Sequence, residues 1–184
     1  PDTCLVSMGN YFFKADVLHD ALMRDAADPT SAHDFGKNVI PTLLADGRDI
    51  YIYDFAENGV PGEPHGAEPY WRDVGTIDSW YDANMELRSP LPSLNLYNRR
   101  WRIRTAQRDY PPARFVRHMG TQASDMVDGL VCEGSVIQSA ALVESVIGYD
   151  CFIHAGARVR RSILMSGCDV GEGAVVQNAI LDKN

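Results

Sequence analysis

The chain has 184 residues and a formal net charge of −8, from 25 acidic and 17 basic residues. A chain of this length can form one large domain or two small ones and can bury a hydrophobic core. The acidic balance argues against nucleic acid and anionic membranes as partners, and no apolar run approaches the roughly 18 residues that a membrane-spanning helix needs.

Strand-like and helix-like segments alternate in the first part of the chain. The segment CLVSMGNYFF (4–13) predicts a strand, and Asp16 is placed to cap a helix whose apolar face is formed by Leu18, Ala21, Leu22 and Ala26. Asp34 is placed to cap a second helix that Gly47 ends, with apolar residues at helical spacing: Phe35, Val39, Ile40, Leu43 and Leu44.

The next segments continue this alternation. DIYIYDF (49–55) predicts a strand because apolar and polar residues alternate, and ENGVPGEPHGAEP (57–69) predicts a loop because it is rich in Gly and Pro. Thr76 is placed to cap a third helix that runs to about Leu87. Strands alternating with helices predict an α/β domain over residues 1–98.

Residues 99–125 are predicted to form a linker. Prolines flank a basic cluster with five arginines between Arg99 and Arg108. Such a cluster is compatible with phosphate or nucleic-acid binding, but the acidic balance of the chain favours an interdomain clamp.

The last segment, residues 126–184, repeats. Three stretches align, at 131–143, 153–165 and 170–182, with a branched aliphatic residue first, Gly fourth, a small residue fifth and an aliphatic residue seventh. This pattern predicts a parallel β-helix with three short faces per coil, whereas an antiparallel sheet would alternate with period two. Because the chain begins without a methionine and stops inside this pattern, we expect it to be part of a longer protein.

The four cysteines are Cys4, Cys132, Cys151 and Cys168. They lack the close pairs of a zinc site and are too few for a secreted disulfide scaffold. We therefore expect buried thiols in a soluble, cytoplasmic protein.

Two segments carry candidate chemistry. Asp73 follows an aromatic pair in EPYWRDVGT, and a carboxylate at the edge of an α/β sheet can hold Mg²⁺. The alternatives are an ion pair with Arg72 or another arginine, and a cap for the third helix. In SAHDFGKNVIP, a helix start can bind an anion near His33, Asp34 and Lys37, but Asp34 as a cap and Lys37 as a solvated charge are the plainer interpretations.

Six ordered motifs give the chain a resemblance to one family: SMGNYFF, HDFGKNVIP, EPYWRDVGT, LYNRRWRIRT, PPARFV and the terminal repeats ending in AILDKN. Together they resemble the glucose-1-phosphate adenylyltransferases of bacterial glycogen synthesis. The resemblance implies the C-terminal part of a Rossmann-like nucleotidyltransferase domain, followed by a left-handed parallel β-helix. It also implies a cytoplasmic homotetramer that makes ADP-glucose and pyrophosphate from ATP and α-D-glucose 1-phosphate.

The resemblance also implies roles for single residues. Ser7 and Tyr11 would contact the sugar phosphate, Asp34 and Phe35 would line the glucose pocket with Trp71, and Asp73 would be a catalytic carboxylate that binds Mg²⁺. The family's glycine-rich nucleotide loop, its second metal-binding aspartate and its sugar-phosphate lysine have no counterpart here. We therefore expect the chain alone to be inactive. Two alternatives stay open: another sugar-phosphate nucleotidyltransferase, such as a mannose-1-phosphate guanylyltransferase, and a non-catalytic oligomerisation or regulatory module.

Overall fold

The computed structural model describes residues 6–106, 108–117, 119–120 and 123–182. The chain divides into two compact units, 1–54 and 55–184. The sequence-based boundaries at 98 and 125 stay a prediction, although the first strand of the β-helix, Arg114–Val116, already lies within the expected linker. Within the described residues, no helix has both the length and the apolar character that crossing a membrane requires.

The first unit is helical. Helix α1 spans Ala15–Ala26, and a π-helical turn at Phe35–Val39 leads directly into helix α2, Ile40–Ala45. Among the described residues of this unit, Val39 and Leu43 are the buried apolar ones. Asp34 caps the turn and the chain leaves α2 at Gly47 with φ +71°, as predicted.

Three predictions for this part of the chain are wrong. Asp16 is not the cap of α1, because the helix begins at Ala15 and the cap position is Lys14, so Asp16 lies in the first turn. Neither predicted strand forms in the described residues 6–13 and 49–55. A strand needs a hydrogen-bonded neighbour, and no such neighbour is present in this part of the described chain. Tyr51 and Ile52 are accordingly 87% and 73% exposed.

The second unit opens with a short 3₁₀ turn, Phe55–Glu57, and the predicted loop. Helix α3 spans Ile77–Glu86 and is capped as predicted: the Ser79 N–H donates to Thr76 Oγ1 at 3.1 Å, and the Ser79 side chain completes a capping box. The helix packs against the β-helix, where the Tyr81 hydroxyl donates to the Arg161 carbonyl at 2.7 Å.

Within the described residues, twelve short strands form the predicted parallel β-helix. They are β1 Arg114–Val116, β2 Asp125–Val127, β3 Leu130–Val131, β4 Val136–Gln138, β5 Ala141–Val143, β6 Val146–Ile147, β7 Phe152–Ile153, β8 Arg158–Arg160, β9 Ile163–Leu164, β10 Asp169–Val170, β11 Val175–Gln177 and β12 Ile180–Leu181. They stack into three four-stranded sheets, β1-β4-β7-β10, β11-β8-β5-β2 and β12-β9-β6-β3. Each coil thus contributes one strand to each face, and the inward residues form the apolar core.

The predicted alignment of the second repeat with the third is confirmed, but that of the first repeat with the second is wrong by one face. Val131 pairs with Ile147, whereas Ile153 pairs with Ile137 and Val170. All three faces share the same short pattern of an aliphatic residue and a small residue. A slip by one face therefore preserves the pattern, and only the backbone pairing distinguishes the faces.

Buried serines join successive coils at one corner of the β-helix. The Ser145 hydroxyl donates to the Val143 carbonyl at 2.8 Å and accepts from the Ser162 N–H at 3.3 Å. Ser162 repeats the arrangement with the Arg160 carbonyl at 2.8 Å and the Ala179 N–H at 3.2 Å. These contacts satisfy polar groups that a buried corner would otherwise leave unpaired.

Candidate functional site

An aromatic and hydroxyl cluster forms in the first unit. The Ser7 hydroxyl and the Tyr11 hydroxyl are 2.8 Å apart, and the Gly9 N–H donates to Ser7 Oγ at 3.2 Å. The rings of Tyr11 and Phe35 stack with centroids 5.5 Å apart at 23°, and the Phe13 ring lies 5.8 Å from that of Phe35. An apolar ring wall beside hydroxyl groups is a surface suited to a sugar.

Asp34 adjoins this cluster and acts as a cap. Its carboxylate accepts the Lys37 N–H at 2.8 Å, and its carbonyl accepts the N–H groups of Asn38 and Val39. The plainer interpretation of Asp34 is therefore confirmed. Lys37 is exposed and forms no ion pair with any residue that the structure describes.

Beside the cluster lies a network that the sequence did not predict. Asp25 Oδ1 accepts the Ser31 hydroxyl at 2.6 Å, and Asp25 Oδ2 lies 2.7 Å from His33 Nδ1. The Ser31 hydroxyl, and after it the His33 imidazole, hold the pKa of the Asp25 carboxyl below its ordinary value. Asp25 is thus a carboxylate at neutral pH, and it can only accept hydrogen bonds.

Trp71 and Asp73 lie in the second unit, in the segment before α3. Trp71 is 43% exposed, and the next side chain, Arg72, lies over the Tyr70 ring at 5.4 Å from its centroid. Arg72 also pairs with Glu86 at 3.3 Å. The Ser93 hydroxyl, followed by Arg72, holds the pKa of the Glu86 carboxyl below its ordinary value.

Asp73 has neither of the two structural roles considered for it. Arg72 pairs with Glu86 instead, and Thr76 caps the helix. The Asp73 side chain is exposed, and among the described residues it accepts one hydrogen bond, from the Gly75 N–H to Oδ1 at 3.0 Å. No hydrogen bond from a described residue reaches its Oδ2.

This arrangement fits Asp73 as one ligand of a Mg²⁺ ion. Magnesium prefers oxygen ligands and commonly uses one or two carboxylates together with substrate phosphates. The part of the chain that the structure describes contains no group of three or more His, Cys, Asp or Glu side chains that could hold a metal by themselves. Asp73 could thus contribute one carboxylate to a site that is completed by other ligands, such as substrate phosphates.

The predicted site residues divide between the two units. The structure brings Ser7, Tyr11 and Phe35 together in the first unit, with Asp34 adjacent in sequence to Phe35. Trp71 and Asp73 belong to the second unit.

The structure also describes three of the cysteines and the basic cluster. Cys151 and Cys168 are buried and Cys132 is partly buried, all three as free thiols, and burial raises the pKa of each. This outcome confirms the predicted burial for Cys151 and Cys168, whereas Cys132 is only partly buried and Cys4 lies outside the described residues. In the basic cluster, the Arg108 guanidinium donates to the Tyr110 hydroxyl at 3.3 Å. The other four arginines are exposed and form no ion pair with a described residue: Arg99, Arg100, Arg102 and Arg104.

Two family models match the chain in sequence order. A nucleotidyl transferase model matches residues 1–89, and a GlmU-like, C-terminal hexapeptide model matches residues 111–184. These matches support the predicted order of a nucleotidyltransferase part and a hexapeptide β-helix.

Curated relatives match the chain over its whole length. The glucose-1-phosphate adenylyltransferase of Arthrobacter sp. (strain FB24) is 46% identical over 184 residues, which are 100% of this chain and 39% of the relative. Glucose-1-phosphate adenylyltransferase 1 of Vibrio vulnificus (strain YJ016) is 43% identical over 100% of this chain and 44% of its own length. The enzyme of that name from Frankia casuarinae is 45% identical, with the same two shares. The chain therefore spans about two fifths of the length of these relatives.

Proposed function

The chain belongs to the glucose-1-phosphate adenylyltransferase family, and on that premise we propose that it forms the sugar-phosphate side of an enzyme that makes ADP-glucose. The reaction joins ATP and α-D-glucose 1-phosphate and releases pyrophosphate. The observation that carries the proposal is the cluster of Ser7, Tyr11 and Phe35, because it places hydroxyl groups beside stacked rings. A hexose phosphate has matching chemistry, with an apolar ring face and polar groups around it.

In this proposal the residues of the first unit bind and orient the sugar phosphate. Ser7 is exposed, and its hydroxyl can donate to a phosphate oxygen when Tyr11 donates to it in turn. Phe35 and Tyr11 cover one face of the sugar, and Asp34 holds Phe35 in place through its cap. Phosphoryl transfer of this kind depends mainly on such positioning and on electrostatics.

In the second unit, Trp71 is an exposed indole, and its apolar ring is a side chain suited to contact with a sugar. Asp73 offers Oδ2 to the cation while the Gly75 N–H holds Oδ1. Magnesium, when bound, neutralises negative charge on the phosphates. We further propose, from family membership, that the enzyme is a cytoplasmic homotetramer and that the β-helix contributes to its assembly.

A chimaera tests this function. The chain replaces the matching segment of the Vibrio vulnificus relative, so that the nucleotide-binding half is constant, and pyrophosphate release is measured with ATP. We expect release with α-D-glucose 1-phosphate, little release with α-D-mannose 1-phosphate, and none from the 184-residue chain alone, which lacks the glycine-rich loop.

The parental Vibrio enzyme, purified in parallel, is the control for the assay. A chimaera that prefers mannose 1-phosphate would transfer the proposal to the guanylyltransferase class. The non-catalytic module would be favoured by two results together. The chimaera would fold but be inactive with both sugars, and the 184-residue chain would assemble into a defined oligomer.

A further inference from the structure

His33 has an unusual backbone conformation next to the proposed sugar pocket. Its φ is +56°, in the left-handed region, which a residue with a side chain seldom adopts, although His is among the more tolerant types. The next residue, Asp34, returns to an extended conformation with φ −103° and ψ 131°. The reversal at His33 thus sets the direction in which the chain enters the turn that carries Phe35.

Three contacts hold His33 in this conformation. Its N–H donates to Ser31 Oγ at 3.0 Å, and its Nδ1 lies 2.7 Å from Asp25 Oδ2. Ser31 donates in turn to Asp25 Oδ1 at 2.6 Å, which closes the network. The Asp25 side chain is only 13% exposed, whereas that of His33 is 58% exposed. The carboxylate is therefore a fixed anchor at the end of α1.

The chemistry of the anchor determines where the imidazole proton lies. A carboxylate only accepts hydrogen bonds, so His33 Nδ1 must carry a proton and donate a hydrogen bond to Asp25. This bond fixes the orientation of the ring in the way that a carboxylate orients histidines in other sites. The network thus controls both the side chain and the backbone of His33.

We propose that His33, held by Asp25 and Ser31, is a positioning residue that aligns Asp34 and Phe35 with Tyr11 to form the sugar pocket. The inference rests on the proposed function, because the pocket is the one assigned there. His33 acts through its neighbours: Asp34 begins the turn, and Phe35 stacks on Tyr11 at 5.5 Å.

Two substitutions separate the side-chain contact from the backbone conformation. His33→Gly permits a positive φ but removes the donor to Asp25. His33→Asn also tolerates a positive φ, and its amide nitrogen is bonded to Cγ as Nδ1 is in His, so it can donate to the same carboxylate. His19→Ala is the control, because His19 is an exposed histidine on α1 whose neighbour in sequence, Asp20, is its only described partner.

Steady-state kinetics of the active chimaera provide the first readout. We expect His33→Gly to raise KM for glucose 1-phosphate about tenfold, the order expected for losing a hydrogen bond to a charged group. KM for ATP and kcat should stay within about twofold, and His33→Asn and His19→Ala should match the unsubstituted chimaera. The proposal is overturned if His33→Gly leaves this KM unchanged, if it changes kcat or KM for ATP instead, or if Asn fails to rescue it.

Nuclear Overhauser contacts in the 184-residue chain provide a second readout that needs no activity. Contacts between the Tyr11 and Phe35 rings should be present in the unsubstituted chain and in His33→Asn, and lost in His33→Gly, while the amide resonances of α1 and α2 keep their positions. Unchanged ring contacts in His33→Gly would overturn the inference, as would general loss of the helical resonances. If the unsubstituted chimaera is inactive, the proposed function has failed, and this second readout alone decides the inference.

Discussion

Gly148 shows how a single residue limits the packing between coils of the β-helix. It follows β6, and a Cβ atom at this position would lie 2.7 Å from Ser166 N and 2.9 Å from both Leu164 O and Met165 C. All three are backbone atoms of the next coil, so they cannot move aside as a flexible side chain could. The requirement is steric, because the φ of Gly148 is not in the left-handed region.

We predict that Gly148→Ala destabilises the chain by about 1–3 kcal/mol, the usual cost of overpacking a close contact. The matched control is Gly171→Ala, since Gly171 also follows a strand but has no atom within 4 Å of the added Cβ. Urea unfolding of both variants measures the effect. Equal midpoints for the two variants would contradict the packing argument.

At this scale, sequence reasoning identified types of residue better than conformations. It identified Asp34 as a cap and Gly47 as a helix end, because caps and helix ends depend on local chemistry. It missed the positive φ of His33, since the partner that holds His33, Asp25, lies eight residues earlier and on another element. The only sign of this contact in the sequence is the Ser-x-His segment, residues 31–33, which follows an acidic residue near the end of α1.

Among the elements, helices were predicted more accurately than strands. Helix α3 begins and ends close to the predicted positions, because its hydrogen bonds and its capping box are local. The strand predicted for DIYIYDF (49–55) has no ladder partner among the described residues and does not form. A strand depends on distant neighbours that a local pattern does not contain.

Glu86, at the end of α3, is expected to make the stability of the fold depend on pH. The pKa of the Glu86 carboxyl lies below its ordinary value in the folded chain, owing first to the Ser93 hydroxyl and then to Arg72. A lowered folded pKa means that Glu86 stabilises the fold above the unfolded pKa and that this contribution is lost as pH falls through the folded pKa. We therefore expect Glu86→Gln to reduce the loss of stability on acidification below about pH 4.3, the ordinary pKa of Glu.

Urea midpoints at a series of pH values measure this effect. Asp82→Asn is the control, because Asp82 is an exposed carboxylate on the same helix with no ion pair to a described residue. If Glu86→Gln shows the same acid dependence as the unsubstituted chain, the interaction with Ser93 and Arg72 does not stabilise the fold.

For the whole molecule, the repeating pattern predicted the β-helix because each coil packs only on its neighbours, so a short pattern contains most of the required information. The first coil is the exception. Arg114 in β1 pairs with Val136 in β4, and the number of residues between them is larger than between paired residues of later coils. The predicted site residues are different in kind, because they follow no common period in the sequence. Their prediction required the resemblance between whole motifs and a known family.

Turnover of the chimaera with Asp73→Asn tests whether the Asp73 carboxylate holds Mg²⁺ in the reaction. We predict a fall in kcat of about a hundredfold or more, because a neutral amide replaces the carboxylate. Asp78→Asn, at a nearby exposed carboxylate in the first turn of α3, should change kcat by no more than about twofold. Full turnover by the Asp73→Asn chimaera would contradict the account.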